Sequence, residues 1–313
     1  MNVCILSVVM ASLLVASSPT HHLRVLPLGD SLTQGVGSYE SYRRPLYQKL
    51  IHMYPGTTIE FIGTRNGTCI PKHPEAFAPP LHRDFSPLHE GHCNWDSSRL
   101  RKHLPSALAQ IPRDSVDVIL FLIGHNDIFN IARTCKLREG IANDKPDCVR
   151  SYLASKTEPN LRHMMELLRD HSPKARLYLG LNPPAGFIYP TQELHRVLKG
   201  FSPAWVHRHV AFPQFIPGLH TFDTTHPNRA GEQVLASAWA EALAHEEVRA
   251  VTVVQTEEVR RTRRPPSGQP QDGRNSQASP LVPVWGHGKL LVLFVAIAFV
   301  VPLGGFRAVQ RFW

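Results

Sequence analysis

Short apolar runs alternate with amphipathic segments through the middle of the chain. Runs rich in Leu, Val and Ile predict strands at 23–28, 59–62, 116–123 and 175–181, with a weaker one at 209–212. Apolar residues recur at helical spacing between these runs, over 42–53, 160–169 and 230–244. Near-continuous apolar runs are typical of strands that are buried on both faces of a parallel sheet. The alternation therefore predicts an α/β fold, with a doubly wound parallel sheet flanked by helices in three layers. The segment 182–218 is rich in Pro and Gly and shows no regular pattern.

The first residues of the chain follow another pattern. Residues 1–18 are apolar or small and carry no charge, which predicts a secretory signal peptide. A buried N-terminal helix or strand is the alternative. The folded domain is expected over 21–250, a length sufficient for one sizeable core.

The last part of the chain has no alternation of strands and helices. Residues 251–288 are rich in Pro, Ser, Gln and charged side chains, which predicts a disordered linker or stalk. The apolar run at 290–306 has no charged residue and predicts a transmembrane helix over 289–307, followed by a short cytoplasmic tail at 308–313. A cleaved glycosylphosphatidylinositol signal is the alternative for this end.

The charge of the chain is concentrated outside the predicted domain. The net charge is +9, but residues from 249 onward contain nine basic and three acidic side chains and so account for most of it. The domain itself is almost neutral, and the composition therefore gives no reason to expect a nucleic-acid partner.

The cysteines indicate an oxidising compartment. One of the five, Cys4, lies in the predicted signal, and the other four are Cys69, Cys93, Cys135 and Cys148. An even number suits disulfide bonds in a secreted domain. Four cysteines allow three pairings; we favour 69 with 93 and 135 with 148, since the last two bracket a polar stretch that a bridge could hold. Asn66 begins a sequon for N-glycosylation in the same compartment.

Three polar segments could carry chemistry. Gly-Asp-Ser-Leu at 29–32 directly follows the first predicted strand, and Gly-His-Asn-Asp at 124–127 follows the most apolar one. Asp223 and His226 lie three residues apart ahead of the last predicted helix. Ligands of open α/β sheets bind at the carboxyl ends of strands, and a nucleophilic serine needs a base that a carboxylate orients. Each segment alone is also consistent with an ordinary turn; together and in this order they predict a hydrolytic serine site.

These segments resemble the motifs of the SGNH (GDSL) hydrolases. PLGDSLTQG at 27–35 is similar to the family's first block, GHND at 124–127 to its third, and DTTHPN at 223–228 to its last. The resemblance covers roughly residues 24–243. Within the family the chain is most similar to the acetyl xylan esterases of carbohydrate esterase family three, which have counterparts of Ser-Tyr-Arg at 41–43 and of HEGHCNW at 89–95.

The resemblance implies a role for each matching residue. Ser31 would be the nucleophile and His226 the general base, oriented by Asp223. The oxyanion hole would consist of the Ser31 N–H, the Asn126 side chain and a backbone N–H of the second block. That last position is a glycine in the family, whereas this chain has Asn94. Asparagine tolerates a positive φ better than other side chains, and only its N–H is needed.

Other kinds of site are less well supported by the sequence. The chain has no Gly-x-Ser-x-Gly elbow and no phosphate-binding loop of the Walker A type. His89 and His92 invite comparison with a metal site, but no third ligand is evident from the sequence. We therefore expect neither metal nor cofactor, and interpret these histidines as surface or pocket residues.

The sequence as a whole predicts a serine esterase tethered to a membrane, in the lumen of the secretory pathway or outside the cell. By resemblance, its substrate is an acylated and chiefly O-acetylated carbohydrate. One alternative is an esterase that acts on lipids, such as a lysophospholipase or lipase. Another is a carbohydrate-binding protein with little activity, because of the departure at Asn94.

Overall fold

The computed structural model describes residues 21–70, 73–80, 82–138, 145–184, 187–202 and 204–244. The strands are β1 (His21–Gly29), β2 (Thr57–Phe61), β3 (Thr68–Ile70), β4 (His73–Ala78), β5 (Glu90–Gly91), β6 (Val118–Leu122), β7 (Arg176–Gly180) and β8 (Arg208–Val210). The helices are α1 (Ser31–Gln34), α2 (Arg43–Met53), α3 (Ser97–Leu108), α4 (His125–Cys135), α5 (Pro146–Tyr152), α6 (Glu158–His171), α7 (Ile188–Lys199) and α8 (229–244). A π-helical turn, Leu153–Thr157, joins α5 to α6.

One parallel sheet organises the domain. Its strands lie in the order β2-β1-β6-β7-β8, and the short β5 also pairs with the end of β1. Every pair in this sheet is parallel, so the connections between neighbouring strands cross over through helices. The predicted doubly wound α/β fold is confirmed. A separate antiparallel hairpin, β3-β4, lies outside the main sheet.

Two apolar layers cover the faces of the sheet. On one face α2 and α8 pack against the strands, with Leu46, Leu50 and Trp239 fully buried. On the other face α3, α4, α6 and α7 form a larger cluster. All five residues of β6 are buried, which explains the uninterrupted apolar run in its sequence. The core therefore lies on both sides of a central strand whose carboxyl end leads into α4.

The segment 182–218, for which the sequence predicted no regular structure apart from the weak strand at 209–212, contains α7 and β8. That expectation is wrong for 188–199. Pro190 lies in the first turn of α7, where the missing N–H has no partner to lose, and the helix buries Leu194 and Leu198 at helical spacing. The proline thus begins a helix instead of preventing one.

Two disulfide bonds connect segments of the domain. Cys69 of β3 is bonded to Cys93, which follows β5, and Cys135 at the end of α4 is bonded to Cys148 in α5. This is the pairing that we favoured from the sequence. Asn66 is exposed, and its glycosylation stays a prediction.

The predicted signal peptide (1–18), linker (251–288), membrane span (289–307) and tail (308–313) lie outside the described residues and stay predictions. Within the part of the chain that the structure describes, no helix combines the length and the apolar character needed to cross a bilayer.

Candidate active site

Ser31 lies at the carboxyl end of β1, where the chain turns into α1. Asp30 caps this helix by accepting the Leu32 N–H at 3.0 Å. A Cβ on Gly29 would clash with the Leu122 carbonyl oxygen of β6, so the close approach of these strands requires glycine. The Ser31 N–H, in the first turn of α1, has no acceptor among the described residues. The hydroxyl and this N–H therefore both stand at the edge of the sheet where ligands bind.

His226 connects Ser31 with Asp223. Its Nε2 lies 2.9 Å from the Ser31 Oγ, and its Nδ1 lies 2.7 Å from Oδ2 of Asp223. The other carboxylate oxygen accepts the N–H groups of Thr225 at 2.7 Å and of His226 at 2.6 Å. When Nδ1 donates its proton to Asp223, the neutral imidazole leaves Nε2 as an acceptor for the serine hydroxyl. The structure thus brings these three predicted residues into one hydrogen-bonded row.

Asp223 carries a negative charge in this row. Burial by itself would raise the pKa of Asp223, but the hydrogen bonds from His226 outweigh it and lower the pKa to about 2. The carboxylate can therefore stabilise a protonated imidazole throughout the neutral pH range. The side chains of His226 and Asp223 are 21% and 44% exposed, so water reaches the pair.

The other predicted donors lie on elements beside Ser31. Asn126, in the first turn of α4, donates one amide hydrogen to the Trp95 carbonyl at 3.0 Å and keeps a second one. Asn94 has a φ of 60°, in the region that glycine adopts freely. In the described part of the chain nothing accepts the Asn94 N–H. The His92 N–H donates to the Gly29 carbonyl at 3.0 Å and holds this loop beside the turn of the serine. The chain thus keeps a glycine-like backbone where the family pattern has glycine.

Residues 28–254 match the model of the GDSL-like lipase/acylhydrolase family. The chain belongs to this family. The resemblance inferred from the three sequence segments is confirmed, and the protein is a carboxylic ester hydrolase.

Similar solved structures include three hydrolases. The first, a carbohydrate esterase of family 3 from Talaromyces cellulolyticus, is 19% identical and has a TM-score of 0.49, with 71% of this chain and 97% of that one covered. A family 3 carbohydrate esterase from Clostridium thermocellum is 19% identical with a TM-score of 0.48, over 71% and 99% of the two chains. A lipase from a goat rumen metagenome is 16% identical with a TM-score of 0.49, over 70% and 97%. The comparison with curated proteins gives no match.

Two buried ionisable residues of this GDSL hydrolase were missed by the sequence analysis. Burial raises the pKa of Asp30 to about 7, and its Oδ2 has no hydrogen-bond partner among the described residues. Burial lowers the pKa of His125 to about 4, and within the same ranges neither of its ring nitrogens has a partner. Both residues belong to the segments that the sequence singled out, but a motif does not reveal which of its side chains are buried.

Aromatic side chains flank the imidazole of His226. Phe222 stacks on Tyr39, with ring centroids 4.7 Å apart and planes 9° apart, and its centroid lies 5.9 Å from that of His226. Phe222 is 42% exposed, although it is a large apolar residue. The rim of the site therefore offers an apolar surface directly beside the proposed base.

Glu90, His92 and His103 form the group of possible metal ligands in the described residues, with one ligand atom of each within 4.8 Å of the others. Arg65 Nη1 lies 2.7 Å from Nδ1 of His92, and Nε2 of His92 lies 2.6 Å from Oε1 of Glu90. Because arginine only donates, Nδ1 is the acceptor and Nε2 carries the proton. A metal on Nε2 would displace that proton and place a second cation near the guanidinium. The donor set fits a hydrogen-bonded cluster better than a metal centre.

His89 is not a surface residue. It is fully buried, with Nε2 2.9 Å from the Gly67 carbonyl oxygen and Nδ1 accepting the Gly91 N–H at 2.9 Å. Burial lowers the pKa of His89 well below its ordinary value, so the ring is neutral. His92 is buried as well, and the expectation that the two histidines lie at the surface or in a pocket is wrong.

Proposed function

We propose that this hydrolase is a serine esterase that removes acyl groups, chiefly O-acetyl groups, from carbohydrate through an acyl-serine intermediate. The observation that carries the mechanism is the row formed by Ser31, His226 and Asp223, with contacts of 2.9 and 2.7 Å. A serine hydroxyl is a weak nucleophile until a positioned base accepts its proton, and the free Nε2 of His226 is such a base.

The reaction proceeds in two halves. The Ser31 Oγ attacks the ester carbonyl carbon while His226 takes the hydroxyl proton, and the resulting oxyanion is held by the N–H groups of Ser31 and Asn94 and by the Asn126 amide. His226 then gives its proton to the alcohol oxygen, which leaves as the C–O bond breaks. Water attacks the acyl-serine, with His226 taking its proton and returning it to the Ser31 Oγ as the acid departs.

Two features support a carbohydrate as the alcohol part of the ester. The segments at 41–43 and 89–95 are similar to those of acetyl xylan esterases. In addition, the stacked pair Tyr39 and Phe222 places aromatic surface beside His226, where the apolar face of a sugar ring could pack. Substrate specificity is therefore proposed to depend on this pair.

A lipid ester is the second candidate, and one observation favours it. Among the described residues, the large apolar side chains that are exposed are Ile51, Ile188, Ile216, Leu219 and Phe222. All except Ile51 lie on the connections that leave the carboxyl ends of β7 and β8, at the same edge of the sheet as Ser31. Exposed apolar side chains at the edge of the sheet that carries a site are consistent with a surface that binds apolar ligands or membranes.

The proposal includes the compartment. Two disulfide bonds suit an oxidising environment, and the predicted signal peptide and membrane span would place the domain in the lumen of the secretory pathway or outside the cell.

Hydrolysis assays with the full-length protein test the proposal. We expect the protein to hydrolyse p-nitrophenyl acetate, with an acetyl group trapped on Ser31 after rapid quenching, and Ser31→Ala to lower kcat by about 10⁴-fold or more without a change in melting temperature. A folded Ser31→Ala variant with unchanged kcat would contradict the mechanism.

A second assay separates the two candidate substrates. On acetylated xylo-oligosaccharide and on p-nitrophenyl esters of increasing chain length, the carbohydrate proposal expects kcat/KM to be highest for acetyl groups. Phe222→Ala should raise KM for the oligosaccharide by about 10-fold, consistent with losing one stacking contact. Ile51→Ala, which truncates another exposed apolar side chain, on α2, is the matched control. A steady rise of kcat/KM up to palmitoyl esters would favour the lipid candidate instead.

A further inference from the structure

Glu90 lies in a largely buried cluster of polar side chains that also contains His92, His103, Thr64 and Arg65. Both oxygens of its carboxylate have hydrogen-bond partners. Oε1 of Glu90 accepts from Nε2 of His92 at 2.6 Å and lies 3.1 Å from Nε2 of His103. Oε2 accepts the Thr64 hydroxyl at 2.7 Å and the Thr64 N–H at 3.1 Å. Burial would raise the pKa of Glu90, but the hydrogen bonds from His92 and Thr64 outweigh it and hold the pKa below its ordinary value. Glu90 is therefore an anion with every oxygen occupied.

His92 is fixed from both sides. The Arg65 guanidinium donates to its Nδ1 at 2.7 Å, and its Nε2 donates to Glu90. Glu90 and His92 are each 1% exposed in their side chains, and burial lowers the pKa of His92, so that the ring stays neutral. A ring held at both nitrogens can neither turn nor exchange a proton with the proposed nucleophile, and its remaining contribution is the orientation of its faces.

One face of His92 supports the residue that holds Asn126. The imidazole stacks on the Trp95 indole with centroids 4.0 Å apart and planes 16° apart, and His103 packs against the same indole edge-on at 5.2 Å. The Trp95 carbonyl accepts Nδ2 of Asn126 at 3.0 Å. Because one hydrogen of the Asn126 amide is bonded to a fixed acceptor, the orientation of the amide is fixed, and so is the direction of its second hydrogen.

We propose that Glu90, His92 and Trp95 are positioning residues that aim the second amide hydrogen of Asn126 at the oxyanion. The inference rests on the proposed function, since it gives a role to residues that touch no substrate. Oxyanion donors act at 2.7–3.1 Å from the developing charge, and a misplacement of about 1 Å can cost about 100-fold in rate. Because the oxyanion exists only in the transition state, a misdirected donor lowers kcat and leaves KM almost unchanged.

A double-mutant cycle in the full-length protein tests the positioning role. Glu90→Gln keeps the volume but cannot satisfy His92, His103 and Thr64 together. It should lower kcat for p-nitrophenyl acetate by about 10- to 100-fold, with KM changing by less than about 3-fold. Asn126→Ala should lower kcat by about 10²- to 10³-fold. The double variant should be no slower than Asn126→Ala alone, because the amide that Glu90 helps to aim is already absent.

A matched control and a second variant complete the cycle. Glu232→Gln is the same change at another buried glutamate, which lies on α8, and α8 covers the opposite face of the sheet from α3 and α4. Its effect should multiply with that of Asn126→Ala. If Glu90→Gln does not fold, Trp95→Leu keeps the carbonyl but removes the stacked ring, and it should again lower kcat only when Asn126 is present.

The outcomes distinguish this inference from the proposed function. Losses from Glu90→Gln or Trp95→Leu that multiply with the loss from Asn126→Ala would overturn the positioning role. So would an unchanged kcat in folded Glu90→Gln, provided that Ser31→Ala is inactive, and the proposed function would then stand. If folded Ser31→Ala keeps full activity, the proposed function fails, and the positioning role fails with it.

Discussion

The molecule contains the same chemical pair, a histidine hydrogen-bonded to a carboxylate, in two different settings. His226 and Asp223 lie 2.7 Å apart in the last connection of the fold, and His92 and Glu90 lie 2.6 Å apart beside β5. The first pair is partly open, with side chains 21% and 44% exposed, whereas both side chains of the second pair are 1% exposed.

The partner of the second ring nitrogen separates the two pairs. In His226 that nitrogen faces the Ser31 hydroxyl, which can give it a proton. In His92 the second ring nitrogen faces the Arg65 guanidinium, which stays protonated at neutral pH and therefore gives up no proton. A carboxylate therefore makes an imidazole a base only where the other nitrogen is left for a substrate or nucleophile; elsewhere the same pair is a structural support.

The largest expected effect comes from removing each imidazole in turn. His226→Gln should lower kcat by about 10⁴-fold or more, because members of a triad act as a unit. Its melting temperature should change by less than about 2 °C, since the side chain is partly solvated. His92→Gln should show the reverse balance, with kcat reduced by only about 10- to 100-fold and a melting temperature lower by about 5 °C or more, because Glu90 and Arg65 lose a buried partner. Steady-state kinetics and thermal denaturation of both variants check the comparison.

An inactive but fully stable His92→Gln variant would contradict this comparison between the two imidazoles. His52→Gln on α2, at an exposed position outside both pairs, is the control and should change neither quantity.

The second expected effect concerns Asn94, which follows the buried pair in the chain and is one of the proposed oxyanion donors. Asn94→Gly should leave kcat within about 3-fold, because glycine adopts the observed φ of 60° without strain. Asn94→Pro removes the N–H and cannot adopt this φ, so kcat should fall by about 10²- to 10³-fold. Circular dichroism must show that the proline variant is folded. A folded variant with normal kcat would leave Ser31 and Asn126 as the two oxyanion donors.

The sequence was sufficient to predict five of the six strands of the sheet, and it missed the two-residue β5. Runs such as 116–123 are apolar without interruption because β6 is buried on both faces, and such runs can be recognised from composition alone. It was not sufficient for α7, because Pro190 has opposite meanings in the first turn of a helix and in its interior. Deciding between them requires knowing where the helix begins.

The residues of the site also divide into those that the sequence was sufficient to predict and those that it was not. Ser31, Asn126 and His226 lie in segments that directly follow strands or precede a helix, so their shared location follows from the topology of a parallel sheet. Arg65 and His103 reach His92 and Glu90 from 27 and 13 positions away, respectively. No periodicity connects such residues, and their contact depends on how the hairpin region and α3 pack around β5. The role of each proposed catalytic residue stays a prediction until the variants are measured.

The smallest expected effect tests whether a hydrogen-bonded histidine or burial itself determines the charge of a buried carboxyl group. Glu232 is buried like Glu90 but has no histidine partner; burial raises its pKa to about 8, and its Oε1 has no hydrogen-bond partner among the described residues. The folded protein therefore keeps a proton that the unfolded chain loses above its ordinary pKa of 4.5. Stability from this group falls as pH rises from about 4.5 to about 8. Asp30, with a pKa of about 7, acts in the same direction at lower pH.

The histidines with lowered pKa values, such as His89 and His125, oppose this trend only below about pH 6.5, where the unfolded chain binds protons that the folded protein does not. Between pH 7 and pH 9 the effect of Glu232 should therefore dominate, and the melting temperature should fall by a few degrees, as expected for about 1 kcal/mol in a domain of this size. Glu232→Gln should flatten this fall, whereas Glu241→Gln, at an exposed position on the same helix, should leave it unchanged. A wild-type melting temperature that rises between pH 7 and pH 9, or an equally steep fall in Glu232→Gln, would show that Glu232 is ionised in the folded protein. Burial without a histidine partner would then not be what distinguishes Glu232 from Glu90.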